Sequence, residues 1–506
     1  MKYNLIEYFS ETVSQNRDKI AVIEGEQHIS FGDLDRKAKA LATYLIQQAD
    51  VCNTPIGVFL PKTIDSVISN IAITYSGNMY MNLDIKVPLQ RLNNIADLIC
   101  PKIIITNTKL LPALNLDNKD VIIVNIDTVD LEQASSIDFT ARLSRLIDTD
   151  PLCIINTSGS TGTPKGVVLN HKSFIDFIHW TLQTFSYGAD EVIGSLSPLV
   201  FDIYSFELCM LMSRGSTLVI IPDTLAAFPV KILELLQRHR VSFIFWVPTI
   251  MVNIANMKLL EAVALPDLKI VWFAGEVFPT IPFNYWRKQL PQVQFTNLYG
   301  PIEITLDCTY FIVDRDIPDH EPLPIGIPCR NTDILILNDQ EELVKDGEEG
   351  ELCVRGTSLA MGYYNNKEKT DAAFVQNPLN KAYPELIYRT GDIACYNDRG
   401  EIVFRGRKDS LIKHLGYRIE LGEIEHVIVN TLKLVKNGCV VYQRAQKEIT
   451  LIYESESDIS PATFRKSIGE ALPKYMVPTA YIRKEEMPRN TNGKIDRLSL
   501  NVEVNG

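Results

Sequence analysis

Between Thr157 and Gly166 the chain reads Thr-Ser-Gly-Ser-Thr-Gly-Thr-Pro-Lys-Gly. Glycines at 159, 162 and 166 let the backbone come close to a bulky anion. The hydroxyls of Thr157, Ser158, Ser160, Thr161 and Thr163 add donors, and Lys165 adds positive charge. That set suits a polyphosphate. The spacing is not that of the P-loop, because no Gly-Lys-Ser/Thr follows at the right distance. A flexible Gly/Ser loop would have the same composition, so the stretch gains meaning only with support from elsewhere.

A second candidate is Phe201-Asp-Ile-Tyr-Ser-Phe-Glu207. If it opens a helix, Asp202 and Phe206 lie one turn apart on one face. A buried carboxylate is costly unless a cation meets it. The alternative for Asp202 is a helix N-cap, a common role for aspartate.

These residues need elements to hold them. Leu152 to Ile155 reads as a buried strand before the Gly-rich loop, and a helix is expected from about Lys172 to Phe185. Ile56 to Leu60 and Ile103 to Ile105 read as buried strands, and Leu34 to Leu45 as a helix with leucines at 34, 41 and 45. The alternation predicts a mainly parallel sheet covered by helices. Residues 151–310 repeat it. After about Pro322 short strands with turn signals (Asn338-Asp339, Asp346-Gly347, Gly350) predict a small β-rich subdomain. Arg405 to Asp409 is polar and contains Gly406. It reads as a hinge before a mixed α/β unit of about a hundred residues.

At 506 residues the chain is too long for one core. Its 46% hydrophobic and 22% charged content is that of a soluble globular protein. A net charge of −12 argues against a general nucleic-acid binder. The nine cysteines form no C-x-x-C pair and read as thiols of a reducing compartment. No apolar run approaches a membrane span. The first residues lack the plan of a signal peptide, so a cytoplasmic location is expected.

The ordered motifs resemble those of the adenylate-forming enzymes: acyl- and aryl-CoA synthetases, luciferases and the adenylation domains of nonribosomal peptide synthesis. The resemblance runs nearly end to end. Its first segments are Ser30 to Leu34 and Tyr80 to Asp84, which read as structural features. It implies an α/β fold, with a large N-terminal domain of helix-covered sheets and a small β-rich subdomain (1–408). A small mobile C-terminal α+β domain (409–506) would follow.

The resemblance also implies roles. Thr157, Ser158, Gly159, Ser160, Thr161, Gly162 and Lys165 would bind the phosphates of ATP. Gly275 and Glu276, in Ala274 to Pro279, would lie along the adenine. In Asn297-Leu-Tyr-Gly-Pro-Ile-Glu303, Tyr299 would face the adenine, Asn297 its amino edge, and Glu303 would hold Mg²⁺. The family usually has Thr at Ile302, which puts one polar contact in doubt. Asp392, in Tyr388-Arg-Thr-Gly-Asp392, would take the ribose hydroxyls, with Arg407 beside it. Asp409 would be the hinge residue. Gly416, in Ile412 to Leu421, would line the path of a pantetheine arm; Leu411 and Leu415 depart from the residues common there. Lys494, in Asn492 to Arg497, would be the catalytic lysine that bridges the substrate carboxylate and the α-phosphate.

In amino-acid-activating relatives an aspartate at the position of Asp202 pairs with the substrate's ammonium. The corresponding pocket would comprise Asp202, Ile203, Phe206, Phe245, Trp272, Ala274, Leu298 and Leu306, with Asp307 hard to place and Cys308 as its alternative. Its bulky apolar lining implies a small apolar amino acid. L-Proline is expected, with D-alanine or another small amino acid next, and an acyl- or aryl-CoA ligase as the alternative without an amine. No carrier domain follows Gly506, so the expected acceptor is the phosphopantetheine thiol of a separate carrier protein.

Overall fold

The computed structural model describes residues 2–118, 120–135, 137–157, 164–185, 188, 190–345, 347–408, 411–435, 437–455, 457–489 and 495–505. Among them, strands form two large sheets of nine and seven strands, a five-stranded sheet, a three-stranded sheet and a two-stranded hairpin.

The nine-stranded sheet has six mutually parallel strands in the order Ile20–Glu24, Thr217–Ile220, Val192–Ser195, Phe243–Trp246, Ile270–Phe273, Gln294–Tyr299. Gln27–Ser30 closes one edge; Thr309–Ile312 and Ile327–Pro328 close the other, all antiparallel. The seven-stranded sheet runs parallel through Pro151–Thr157, Met79–Asn82, Pro55–Val58, Ile103–Thr106 and Ile122–Asn125. Lys165–Asn170 folds back antiparallel on Pro151–Thr157, so the phosphate-type stretch joins two paired strands. Runs such as Phe243–Trp246 and Ile103–Thr106 are buried at every residue, as central parallel strands must be.

Helix Phe31–Gln48 starts where the Ser30 hydroxyl accepts the Asp33 N–H at 3.1 Å, and it buries Leu34, Ala38, Leu41 and Leu45. The expected helix after the Gly-rich stretch spans His171–Thr184. Helix Asp202–Arg214 is buried from Ile203 through Met212 and stops at Gly215, whose φ of 75° no branched residue adopts cheaply.

The β-rich part after Pro322 is an antiparallel sheet of Thr332–Leu337, Gly350–Gly356, Leu386–Tyr396 and Phe374–Gln376, with Ile402–Arg407 against Leu386–Tyr396. Beyond it, Ile419, Ile424, Val440, Leu451, Phe464 and Ile468 belong to a separate apolar cluster. A large N-terminal domain and a smaller C-terminal one are therefore the architecture. Asp409 lies outside the described residues. No described helix is long and apolar enough to cross a membrane.

Candidate active site

A cleft opens where the strand ends of the large domain face the Leu411–His414 and Tyr417–Glu420 hairpin. Its lining includes Thr157, Asp202, Gly275, Ile302, Lys413 and Gly416. Ser158, Gly159, Ser160, Thr161, Gly162 and Lys494 lie outside the described residues. Beside Thr157, both amide atoms of Asn156 are buried with no hydrogen-bond partner among the described residues. Such an orphaned group in a cleft wall calls for a ligand or a water.

Asp202 is the first residue of its helix, and Phe201 occupies the cap position without a side-chain cap bond. The Asp202 Oδ1 accepts its neighbour's N–H, from Ile203 at 3.0 Å, rather than an N–H two or three residues further on. The carboxylate therefore faces the cleft rather than the helix end. Burial pushes it up to about 6, against the pull of Lys413.

Asp202 and Ile203 reach the cleft. Phe206, Phe245, Trp272, Ala274, Leu298 and Leu306 do not line it; they are buried behind. Phe206 stacks on Trp272 with centroids 5.5 Å apart, and Phe245 meets both edge-on at 5.8 and 5.6 Å. Asp307, hard to place from sequence, is buried and follows Thr305 and Leu306, both at positive φ (55° and 68°). Burial and Asp202 hold its carboxyl well above the ordinary range. The strained turn docks on Gly300, where a Cβ would sit 2.2 Å from the Leu306 carbonyl oxygen.

The Tyr299 hydroxyl donates to Asp392, and Arg407 donates to the other oxygen of that carboxylate and to the Thr390 carbonyl at 2.9 Å. The Asn297 amide donates one N–H to the Pro324 carbonyl at 2.8 Å. Glu276 accepts the Thr249 N–H at 3.0 Å and the Gly416 N–H at 2.9 Å, so its carboxylate ties the turn after Gly275 to the hairpin. Asn82, Leu83 and Asp84 also line the cleft, beyond the structural part read for that segment.

Glu303 is fully buried on a short helical turn, Ile302–Ile304. Its Oε1 accepts the Tyr363 hydroxyl at 2.8 Å and its Oε2 the Arg418 guanidinium at 2.5 Å. Burial pushes the carboxyl up, but Arg418 and Tyr363 outweigh it and hold it below its ordinary value. No group of three or more His, Cys, Asp or Glu is assembled among the described residues. A lone buried carboxylate that already faces a cation fits Mg²⁺ completed by phosphates and water.

A family model described as AMP-binding enzyme matches residues 9–364. The chain belongs to the AMP-binding enzyme family. It is 31% identical over 504 residues to zwittermicin A synthase ZmaJ of Bacillus cereus, covering 97% of this chain and 93% of that protein. It is 30% identical over 497 residues to gramicidin S synthase 1 of Brevibacillus brevis, where it spans 44% of the relative's length. A solved Vibrio cholerae adenylation domain, AlmE, in complex with glycyl-adenosine-5'-phosphate superposes with a TM-score of 0.84 at 21% identity, covering 99% and 98% of the two chains. That likeness carries the fold.

Within this family fold, sequence reading missed three hairpin residues as contributors. Lys413 lines the cleft, and Arg418 and Glu420 pair with the large domain. The signal was their position in Ile412 to Leu421, where alternate charges at 418 and 420 share one strand face.

Proposed function

We propose that the protein activates a small amino acid with ATP and Mg²⁺ as its aminoacyl adenylate, and then passes it to the phosphopantetheine thiol of a carrier protein. The observation that carries this reading is the Asp202 carboxylate, which reaches the cleft without a described cation bonded to it, over a wall of packed aromatic rings. An α-ammonium is the partner such a group lacks. The rings leave room for a short apolar side chain, and L-proline is the first candidate. D-Alanine keeps the same chemistry, whereas a fatty or aryl acid has no amine for Asp202.

In this reading Asp392 accepts the ribose hydroxyls and Tyr299 flanks the adenine. Lys165, with Thr157 and the adjoining loop, holds the phosphates. Glu303 would hold Mg²⁺, which when bound neutralises phosphate charge. Lys494 would bridge the substrate carboxylate and the α-phosphate, where a preorganised charge is worth roughly 10²–10³ in rate. Gly275 and Glu276 would border the adenine, although Glu276 acts through structure. Gly416 would leave the thiol's path open: a Cβ there would lie 3.2 Å from Val247 and 3.4 Å from Phe201. The division falls at 408/409, with Asp409 as the pivot, and the free thiols suit a cytoplasmic ligase.

The test is ATP–pyrophosphate exchange with a panel of L-proline, D- and L-alanine, glycine, fatty and aryl acids. Dominant L-proline exchange is expected. Exchange supported only by acids without an amine would remove the role given to Asp202.

A further inference from the structure

Lys62 follows Pro55–Val58, a central strand of the seven-stranded sheet. Its half-buried ammonium crosses to the nine-stranded sheet, where it donates to the Ser195 carbonyl at 2.7 Å and the Ser197 carbonyl at 2.8 Å. Ser195 ends the strand Val192–Ser195 and is held by its side chain as well, because its hydroxyl donates to Glu207 at 2.5 Å. Glu207 is fully buried on the helix that Asp202 begins, and its Oε1 has no hydrogen-bond partner among the described residues. A carboxylate so placed needs a cation nearby, and Lys62 supplies that charge. Asn82, at the end of Met79–Asn82, donates to the Leu199 carbonyl at 3.0 Å. The same segment makes a turn of its own, with the Phe201 N–H on the Pro198 carbonyl at 3.0 Å. The backbone that leads into Asp202 is thus gripped at 195, 197 and 199 by side chains of the other sheet.

We propose that Lys62 is a positioning residue for amino-acid binding: it fixes the 195–201 segment and so sets where the Asp202 carboxylate meets the substrate's ammonium. This rests on the role given to Asp202 above. Lys62 does not line the cleft, whereas Phe201 and Asp202 do, so it acts through the backbone it holds. A side chain on a loop is placed only as accurately as that backbone, and a misplacement of about 1 Å can cost on the order of 10²-fold in rate. The charge matters as well as the reach, because an ammonium makes stronger hydrogen bonds to carbonyls than a neutral amine does. The charged groups that face Lys62 are Glu207 from the Asp202 helix, Asp223 from beyond Thr217–Ile220, and Lys86 from beyond Met79–Asn82. Lys86 is itself paired with Asp223 at 2.5 Å. Burial pulls Lys62 below the ordinary lysine range, against Glu207 and Asp223. Its charge, and with it the grip on the segment, is therefore lost as pH rises, earlier than for an exposed lysine.

The experiment is ATP–pyrophosphate exchange by the full chain with L-proline, with the KM for each substrate followed across pH. Lys62→Met keeps the stem and removes the charge. It should raise the amino-acid KM roughly tenfold while the ATP KM moves less than about twofold. Lys62→Arg should restore the amino-acid KM. Because a guanidinium stays charged, it should also abolish the alkaline rise in that KM seen in the unaltered protein. An unchanged amino-acid KM in Lys62→Met, or an equal rise in both KM values, would overturn the inference. An alkaline limb that persists in Lys62→Arg belongs to the substrate's ammonium and would overturn the role of the Lys62 charge. That comparison decides the matter even where Lys62→Met fails to fold. If Lys62→Met leaves the amino-acid KM unchanged while Asp202→Ala raises it, only this inference falls. Exchange that does not depend on an amine would remove the role of Asp202 and this inference with it.

Discussion

The two sides of the cleft are built from different forces. Behind Asp202 lie packed rings, Phe206, Phe245 and Trp272, buried against one another within a single domain. The hairpin side is held to the large domain by charges: Arg418 to Glu303, Glu420 to Lys165 and Glu423 to Arg91. Apolar burial has no alternative partner and resists opening. An ion pair can be exchanged for another ion of the same sign. The ring cluster is therefore held by packing within one domain, and the hairpin by charge pairs to the large domain.

Variants on the two sides should separate along that line. The largest effect is expected at Trp272→Ala, about 3–5 kcal/mol of stability, read as a shift in denaturant midpoint. A loss below 1 kcal/mol would mean that the wall is not a packed unit. Next, Lys494→Ala should slow adenylation roughly 10²–10³-fold with an unchanged Tm. Near-normal adenylation would remove its assigned role. Asp202→Ala should raise the amino-acid KM roughly 10–100-fold, the value of one charge-assisted contact, with little change in the ATP KM. Equal effects on both substrates would count against an ammonium contact.

Gly416→Ala should cost about 1 kcal/mol, since φ is 83° and Val247 is close, and should slow transfer to the thiol more than adenylate formation. An unchanged transfer rate would place the thiol elsewhere. The gentlest probe is pH. Because burial raises Asp202 to about 6, its carboxylate is lost as pH falls through 6, not near 4. The amino-acid kcat/KM should then drop about tenfold per pH unit below that point. Asp202→Asn should remove this limb of the profile; a profile unchanged by the substitution would assign the limb to another group.

Local signals were well expressed in the chain. Apolar runs such as Leu152 to Ile155 and Ile103 to Ile105 became the expected strands, because buried strands show uninterrupted apolar character. The helix that starts at Asp202 was legible, as was its choice between cap and cleft, which only the cap geometry decided. Asp202 and Ile203 reach the cleft, but Phe206, Phe245, Trp272, Ala274, Leu298 and Leu306 stand one layer behind. A position in a motif gives the neighbourhood of a side chain, and the rotamers of its neighbours decide what reaches the surface. Asn297 likewise donates an N–H to Pro324, and Glu276 accepts from Thr249 and Gly416.

By itself the amino-acid sequence determined the alternation of strands and helices, the Gly-rich anion stretch, the family and the chemistry its motifs imply. These depend on residue types a few positions apart, where period and spacing are physical constraints. Only the tertiary structure decided which charges meet. Glu420 lies 255 positions from Lys165, Arg418 lies 115 from Glu303, and Glu423 lies 332 from Arg91. No local pattern links such partners. Chain folding brings them within bonding distance, where burial makes each charge depend on its neighbour.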